Sequence, residues 1–391
     1  MSTPGSAASA ALDRSRLERL RAAIGDAGCD AALLYDPINV RYATGTSNMQ
    51  VYASRNPCRY ALVPADGDVV LFEFKGCEHL SDGHPNVAEV RPAVSWYDFV
   101  SGHRTHEMAR IWAVEIVALL GGGTDLAVDR LDPIGTAELE GRGIRVHDGQ
   151  AVANRARRIK TDAELAVVRR AVEACESGIA AMHAAMRPGM TEQELWANLH
   201  HANIASGGEW LETRLLTSGR RTNPWYQECS SKVIGAGELV AFDTDLIGVG
   251  GYSVDVSRTW ISDGAAPTDD QRRLWEEAAE QLVRNTELLR PGASFLEISR
   301  RAHVPPEGVH SVTNAAVAHG IGLCNEYPLI VNRDHVEAAG YDGEIEVGMV
   351  LCVEALAAPP GGSEAVKLEE QVLITADGPE PLSTSPLALV P

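Results

Sequence analysis

The stretch from Val240 to Trp260 constrains this chain more than any other, because it places three aspartates on two short apolar segments joined by a glycine-rich bend. Such a pattern predicts a β-hairpin. Asp243 and Asp245 are two residues apart, so on a strand both would point to one face, and the hairpin brings Asp255 beside them. Three unpaired carboxylates facing one point would repel one another by several kcal/mol at reduced dielectric. The hairpin therefore predicts a bound divalent metal ion.

The length and the element pattern predict two domains. With 391 residues the chain is too long for one ordinary domain, and with 45% hydrophobic residues it can bury two cores. Helices and strands alternate over 13–154, which predicts a small α/β domain. A basic run at 155–160 opens the second part, 155–391, where helices and antiparallel strands predict an α+β domain with a curved sheet.

The expected elements of the second domain follow from periodicity and capping signals. We predict helices over 162–186, from 192 towards 204, 269–289 and 294–303, and strands over 213–218, 239–246, 252–260, 349–357 and 371–375. In the first domain, we predict helices over 13–28 and near 107–120.

The charge and the cysteines limit the possible partners and the compartment. A formal net charge of -20 disfavours binding to nucleic acid or to anionic membranes. The N-terminal segment lacks the pattern of a signal peptide, and no run approaches the ~18 apolar residues that span a bilayer. Seven cysteines without CxxC spacing indicate reduced thiols rather than a zinc-thiolate site. We therefore expect a soluble, cytoplasmic protein.

Three further candidate ligands lie downstream of the hairpin. His319 stands among small residues in a His-Gly-Ile-Gly segment, where backbone can approach a ligand closely. Glu354 ends an apolar strand, and Glu369 lies in the middle of another. Taken singly, His319 is better explained as a hydrogen-bonded core histidine, and each glutamate is equally well explained as an edge-strand charge or a salt-bridge partner. Together with the aspartates they form five carboxylates and one imidazole, which favours two ions such as Mn, Fe or Zn.

The same segments carry a family resemblance. The sequences FDTD, GYSVDVSRTW, HGIGL, GMVLCVEA and VKLEEQVLIT resemble the signatures of the pita-bread superfamily, which includes creatinase, prolidase, aminopeptidase P and methionine aminopeptidase. The resemblance covers nearly the whole chain. It implies a pita-bread catalytic domain behind a creatinase-like N-terminal domain.

Within that superfamily the chain looks most like dimethylsulfoniopropionate lyases of the DddP type. The segments DPINVRYATGTSNMQ, GGEWLETRLLTSGRRTNPWYQEC and HGIGLCNEYPL carry this similarity. The resemblance implies a dinuclear centre, with iron as its metal, and a homodimer. The implied ligands are Asp243, Asp245, Asp255, His319, Glu354 and Glu369, with Asp255 and Glu369 bridging the two ions.

Two departures from the family patterns bear on the reaction. Superfamily peptidases have one proton-transferring histidine about 17 residues before the first metal aspartate, where this chain has the neighbourhood of Tyr226. They have another seven residues after the metal histidine, where this chain has Glu326. The lyases have an aspartate that acts as the general base six residues after the metal histidine, where this chain has Asn325. They have a tyrosine five residues before that histidine, where this chain has Asn314. A neutral amide cannot accept the substrate proton. The metal ligands are kept, whereas the proton-transfer residues are changed.

Several residues are candidates for the missing roles. Glu326, His310 or a metal-activated water could act as the base of an elimination, and such a water could instead hydrolyse a C–N or amide bond. Tyr226 is a further catalytic candidate. On the substrate side, Trp210 and Trp225 could form an aromatic wall for an onium group, although core packing explains them equally well. Arg214 could hold a carboxylate, and Tyr42 and Tyr52 could cap the site from the first domain of a dimer partner.

Three functional hypotheses follow. The first is a metal-dependent lyase that cleaves a carbon–heteroatom bond in a small zwitterion. The second is a metallohydrolase of a C–N or amide bond, of the creatinase, ectoine hydrolase or Xaa-Pro dipeptidase kind. The third is a metal-free binding or scaffold protein that keeps only the fold. Retention of all six candidate ligands argues against the third.

Overall fold

The structure, a computed structural model, describes residues 7–306, 308–309 and 316–390. The chain divides into two compact units, one ending at Arg157 and the other beginning at Arg158. None of the described helices is long and apolar enough to cross a membrane.

The first unit is a mixed sheet with helices. Its strands are β1 (Ala31–Leu34), β2 (Tyr60–Pro64), β3 (Val70–Glu73), β4 (Glu89–Pro92), β5 (Asp125–Val128) and β6 (Arg145–Asp148). Its helices are α1 (Ala7–Asp26), α2 (Pro37–Thr44), α3 (Gln50–Arg55), α4 (Asp98–Ser101), α5 (Thr105–Leu119), α6 (Pro133–Glu140) and α7 (Gly149–Arg157). The strand order is β4-β3-β2-β1-β5-β6, and β1 pairs parallel with β5. Buried aromatic residues, including Trp96 and Trp112, fill the core.

The second unit contains the remaining elements. Its helices are α8 (Asp162–Ala185), α9 (Glu192–Ala205), α10 (Asp269–Leu288), α11 (Phe295–Arg301) and α12 (Val336–Ala339). Its strands are β7 (Trp210–Leu211), β8 (Leu216–Ser218), β9 (Leu239–Asp243), β10 (Leu246–Ile247), β11 (Ser253–Val254), β12 (Ser257–Ile261), β13 (Ala316–Ile321), β14 (Asn325–Val331), β15 (Val350–Ala357), β16 (Val366–Thr375) and β17 (Gly378–Pro381).

The helices of this unit begin where the capping signals indicate. Thr161 accepts a hydrogen bond from the Glu164 backbone N–H, and the Glu164 side chain accepts one from the Thr161 N–H. The same reciprocal arrangement joins Thr191 to Glu194 at the start of α9. These capping boxes satisfy N–H groups that the first helical turn leaves without partners. The predicted α+β architecture is confirmed.

A five-stranded antiparallel sheet supports the site. Its order is β14-β13-β15-β16-β17. One face is apolar: Val353 and Leu368 pack in the same cluster as Leu274 and Leu282 of α10. Because side chains alternate along a strand, the intervening residues point to the other face. Packing of α10 on one face thus leaves the opposite face free to carry polar residues.

Candidate metal centre

The hairpin supplies three carboxylates, though not in the way that simple alternation predicts. Asp243 ends β9, where it pairs with Ser257 of β12. The prediction of one continuous strand through Asp245 is wrong, because Asp245 lies outside β9 with a left-handed φ of 36°. Thr213 donates a hydrogen bond to its Oδ2. Asp255 sits between β11 and β12, and its backbone N–H donates to Gln371 Oε1 at 3.3 Å.

The sheet supplies the other three ligands from one face. His319 of β13 pairs with Cys352 of β15, and Glu354 of β15 pairs with Glu369 of β16. Cross-strand partners share a face, and Cys352 and Glu354 are two residues apart, so His319, Glu354 and Glu369 project together. Glu354 lies within β15 rather than at its end, which corrects the sequence-based placement.

The side chains converge to short distances. His319 Nε2 lies 3.5 Å from Glu369 Oε1, 3.7 Å from Glu354 Oε1 and 3.8 Å from Asp255 Oδ2. Ligand atoms of Asp243, Asp245 and Asp255 lie within 4.8 Å of one another, as do those of Asp255, His319, Cys352 and Glu369. Asp255 belongs to both groups, so the two groups adjoin.

Crowding of the carboxylates shifts their protonation. Burial, and then the charges of Asp243, Asp245 and Glu369, raise the pKa of Asp255 well above its usual value. Burial followed by Asp243 raises the pKa of Asp245 to about 7, and burial with Asp243 and Glu354 raises that of Glu369 to about 8. Burial alone would lower the pKa of His319, but Glu354 and Glu369 raise it to about 10. Positive charge placed between these side chains would therefore stabilise the cluster.

The donor set fits divalent metal ions. Asp243 Oδ1 and Asp255 Oδ1 are buried and accept no hydrogen bond from the described residues. His319 Nδ1 lies 3.2 Å from the Gly320 carbonyl oxygen, a contact that leaves Nε2 free to bind metal. Carboxylates with one imidazole suit Mn, Fe or Zn. Cys352 adds a buried sulfur at the edge of the set.

A buried lysine, which the sequence analysis did not single out, also lies in this cluster. Lys367 Nζ is 2.6 Å from Glu354 Oε2, 2.7 Å from Glu369 Oε2 and 3.5 Å from Asp243 Oδ2. Burial would lower the pKa of this lysine, but the three carboxylates raise it well above its ordinary value. The sequence does contain a signal for this position, because Lys367 lies two residues before Glu369 in a strand and the residues on either side of it are apolar.

Of the catalytic candidates, Tyr226 lies beside the cluster. Its phenol is subject to the charges of Glu354, Asp243 and Glu369, and its pKa is raised by burial and then by Glu354. Its backbone has a φ of 71°, a left-handed conformation that is uncommon for an aromatic residue and is found at functional sites. The residue as a whole is 56% exposed, so part of the side chain is open to solvent although burial is the main cause of the raised pKa of its phenol.

The residues after His319 take different directions. Asn325 pairs with Ile321, and Glu326 pairs with Gly320. The pairing shifts register between His319 and Gly320, so strict alternation does not carry over from His319 to these two residues. Asn325 is exposed, whereas Glu326 is buried in an ion pair with Lys160. His310 and Asn314 lie outside the described residues.

The substrate-side candidates have varied surroundings. Trp210 is half-buried in β7, where it pairs with Ile247. Trp225 is buried in a small apolar cluster, and its ring centre lies 6.5 Å from that of Tyr226. Arg214 is exposed and pairs with Glu228 at 2.6 Å.

The two tyrosines of the first unit also differ. Tyr42 is buried, and its hydroxyl donates to the Ala156 carbonyl oxygen at 2.9 Å. Tyr52 is partly exposed and packs edge-on against Phe74, with ring centres 6.0 Å apart. A hydroxyl bonded to the backbone gives Tyr42 a clear structural role.

Similarity to curated proteins extends over most of the chain. The chain is 40% identical over 380 residues to the dimethylsulfoniopropionate lyase DddP of Roseovarius nubinhibens, and this match covers 95% of this chain and 85% of that protein. The dimethylsulfoniopropionate lyase DddP of Roseobacter denitrificans is 39% identical, and the match covers 96% of this chain and 86% of that protein. The Xaa-Pro dipeptidase of Pyrococcus furiosus is 24% identical, with 95% of this chain and 98% of that protein covered.

Solved structures share the fold. The Pyrococcus horikoshii prolidase matches with a TM-score of 0.77 and 21% identity, covering 96% of this chain and 99% of that one. The Xaa-Pro dipeptidase from Bacillus anthracis matches with a TM-score of 0.76 and 22% identity, covering 97% and 99%. The predicted pita-bread architecture behind a small N-terminal domain is thereby confirmed.

Two family models match the sequence. The Creatinase/Prolidase N-terminal domain matches residues 16–115, and Metallopeptidase family M24 matches residues 166–376. The second match spans more than half of the chain and contains all six residues of the carboxylate–histidine cluster. M24 enzymes are metal-dependent, and both a lyase and a hydrolase activity fit the relatives. The chain belongs to metallopeptidase family M24.

Proposed function

We propose that this protein is a dinuclear metal-dependent lyase that acts on dimethylsulfoniopropionate or a closely similar small zwitterion. The observation that carries the proposal is 40% identity over nearly the whole chain to a dimethylsulfoniopropionate lyase, combined with convergence of all six candidate ligands. The proposed reaction removes a proton from the carbon next to the carboxylate and breaks the carbon–sulfur bond. The bonding electron pair leaves with dimethyl sulfide, and acrylate remains.

The proposed centre has two adjoining positions. Asp243, Asp245, Asp255 and Glu369 would hold one ion, and Asp255, His319, Glu354 and Glu369 the other, so that both ions would share Asp255 and Glu369. When bound, divalent ions would supply Lewis acidity towards the substrate carboxylate. Iron is the metal that we propose from the likeness to the lyases, and manganese or zinc also suits these donors.

Residues of the chain would handle the proton and the substrate, and His310 is the remaining side-chain candidate for the base that accepts the proton. We propose that the Tyr226 hydroxyl donates a hydrogen bond at the mouth of the cluster, since the charges of three of the carboxylates act on its phenol and the residue is partly open to solvent. Glu326 is poorly suited to act as the base, because it is buried and ion-paired with Lys160. Trp210 and Arg214 remain proposed substrate contacts.

A hydrolase is the second candidate, favoured by the family match and by the dipeptidases that share the fold. The position at which the peptidases have their first proton-transferring histidine is occupied here by the neighbourhood of Tyr226, whose phenol does not take up a proton near neutral pH as imidazole does. This difference favours elimination over peptide hydrolysis.

One assay separates the two. Protein loaded with Fe(II) or Mn(II) is incubated with dimethylsulfoniopropionate, and dimethyl sulfide and acrylate are measured; parallel samples receive Xaa-Pro dipeptides or ectoine-like substrates. We expect the two elimination products in equal amounts. Absence of both with the metal site full, together with dipeptide cleavage, would replace the lyase by the hydrolase.

We also propose a homodimer in the cytoplasm. All seven cysteines are free, which supports a reducing, cytoplasmic environment. Exposed apolar side chains on the first unit, among them Phe99, Ile111 and Val114, support a homodimer. Sedimentation at micromolar concentration would test the dimer.

A further inference from the structure

Lys367 makes an unusual set of contacts for a lysine. Its side chain is almost entirely buried, and Nζ donates hydrogen bonds to Glu369 Oε2 at 2.7 Å and Ser257 Oγ at 2.8 Å. Ser257 Oγ in turn donates to the same Glu369 oxygen at 3.0 Å. Glu354 Oε2 and Asp243 Oδ2 complete the surroundings at 2.6 Å and 3.5 Å. Three of the six proposed metal ligands therefore contact one ammonium group.

The contacts divide the oxygens of these carboxylates. Lys367 contacts Oε2 of both glutamates, whereas their Oε1 atoms lie 3.5 and 3.7 Å from His319 Nε2. Asp243 follows the same pattern, since Oδ2 faces Lys367 and Oδ1 has no partner among the described residues. One oxygen of each carboxylate is held by the lysine, and the other is left available for a metal ion.

The positive charge of Lys367 offsets part of the negative charge of the carboxylates. Five carboxylates, three of them buried and two partly buried, would drive the strands apart at these distances without positive charge between them. Repulsion is strong at low dielectric, and a buried charge is costly when unpaired. A metal ion removes that repulsion only after it has bound. The ammonium of Lys367, by contrast, lies among the carboxylates as soon as β16 pairs with its neighbouring strands, before any metal ion binds.

We propose that Lys367 is a built-in cation of the metal centre, which keeps the ligands converged in the metal-free protein. The inference rests on the proposed metal centre. It makes Lys367 a positioning residue, whose ammonium opposes the incoming ions electrostatically while it preserves their ligand geometry.

Replacement of the lysine by an uncharged residue of similar length tests this role. In metal-free protein, Lys367→Met should lower the melting temperature by about 10 °C, the order expected for breaking a buried ion pair in a domain of this size. With saturating Mn(II) the difference from wild type should shrink to less than half, because the ions replace the lost charge. The variant should also bind Mn(II) at least about tenfold more tightly in calorimetric titration.

Two further variants separate charge from packing. Lys160→Met removes another buried lysine, which pairs with Glu326 outside the cluster, and its stability loss should be the same with and without Mn(II). Lys367→Arg keeps the charge, so its metal-free melting temperature should lie nearer to wild type than that of the methionine variant.

The proposal is overturned if Lys367→Met loses the same stability with and without Mn(II), or if wild-type protein loses its secondary structure when metal is chelated. The second measurement needs no variant, so it stands even if Lys367→Met does not fold. Failure of all variants and of wild type to bind Mn(II), Fe(II) or Zn(II) would instead remove the proposed metal centre itself.

Discussion

Asn325 and Glu326 are adjacent in β14, yet Asn325, paired with Ile321, is exposed, whereas Glu326, paired with Gly320, is buried. Glu326 then meets Lys160 in a buried ion pair. The carboxylate nearest in sequence to the position of the lyase base is thus held by a lysine. The neutral amide at that position is open to solvent.

The first prediction concerns Glu326. We expect Glu326→Gln to destabilise the protein by about 3 kcal/mol in urea denaturation, because Lys160 is left buried without its charged partner. Turnover per folded, metal-loaded molecule should stay within a factor of about three. A hundredfold loss of kcat in a folded variant would instead make Glu326 the base.

The second prediction concerns Asn325. An aspartate there would place a carboxylate at an exposed position, where it can accept a proton. We expect Asn325→Asp to raise the rate of acrylate formation from dimethylsulfoniopropionate by about tenfold or more. Asn325→Gln is the matched control, because it changes size without adding charge, and it should give no gain. Unchanged or slower elimination by the aspartate variant would show that proton abstraction is not what this position limits.

Much of the fold was predictable because capping and periodicity are local. Thr161 and Thr191 open helices as their sequences indicate, and β15 begins one residue after the predicted start. Strands β13 and β14 were not predicted, since His319, Gly320 and Pro328 interrupt the apolar pattern. Their pairing with β15 is a long-range contact, which no local pattern encodes.

The metal ligands could be identified from the sequence, but their geometry could not. The resemblance supplied the six positions, whereas the left-handed turn at Asp245 replaced the assumed strand. Lys367 was missed because a lone lysine in sequence reads as solvent-exposed; only pairing of β16 with β15 places it against Glu354. Such charge pairing is decided by tertiary structure, not by local propensity.

The third prediction concerns the shared ligands. We expect Asp255→Ala and Glu369→Ala to bind less than half of the wild-type metal, measured by elemental analysis, and to lose at least about a thousandfold in kcat. The metal-free fold should remain intact for Asp255→Ala, because removing one crowded carboxylate relieves the repulsion that raises its pKa.

A neighbouring acid provides the control for this pair. Glu370 is also buried, and it pairs with Arg258 at 3.0 Å instead of facing the cluster. Glu370→Gln should therefore keep its metal while losing stability. Wild-type turnover in either ligand variant would remove that residue from the mechanism.

The fourth prediction concerns Tyr226. Tyr226→Phe keeps the ring and removes the hydroxyl that lies near Glu354 and Asp243, so we expect kcat to fall by about 10- to 100-fold with unchanged metal content. Trp225→Phe alters the adjacent aromatic residue, which is buried in an apolar cluster, and should mainly reduce stability. If Tyr226→Phe retains full kcat, the hydroxyl has no part in the reaction.

The fifth prediction concerns Asp129 in the first unit. Its Oδ1 accepts a hydrogen bond from the Tyr35 N–H at 2.7 Å, and its Oδ2 accepts bonds from the Asp36 N–H at 3.1 Å and from Asn39 Nδ2 at 2.9 Å. Burial outweighs these bonds and raises the pKa of Asp129 to about 6. Folding therefore favours the protonated carboxyl. Its contribution to stability is fully present below the unfolded pKa of about 4 and is lost as the pH rises through about 6.

Asp129→Asn removes this dependence, because the amide does not titrate. The stability of wild type relative to the variant should be about 1.5 kcal/mol greater at pH 4.5 than at pH 7.5, a value below the full linkage because the side chain is partly exposed. Urea denaturation of both proteins at the two pH values measures this difference, in which the titration of the metal ligands cancels. A relative stability that is equal at both pH values, or greater at pH 7.5, would show that the three hydrogen bonds outweigh burial and that Asp129 is ionised in the folded protein across this range.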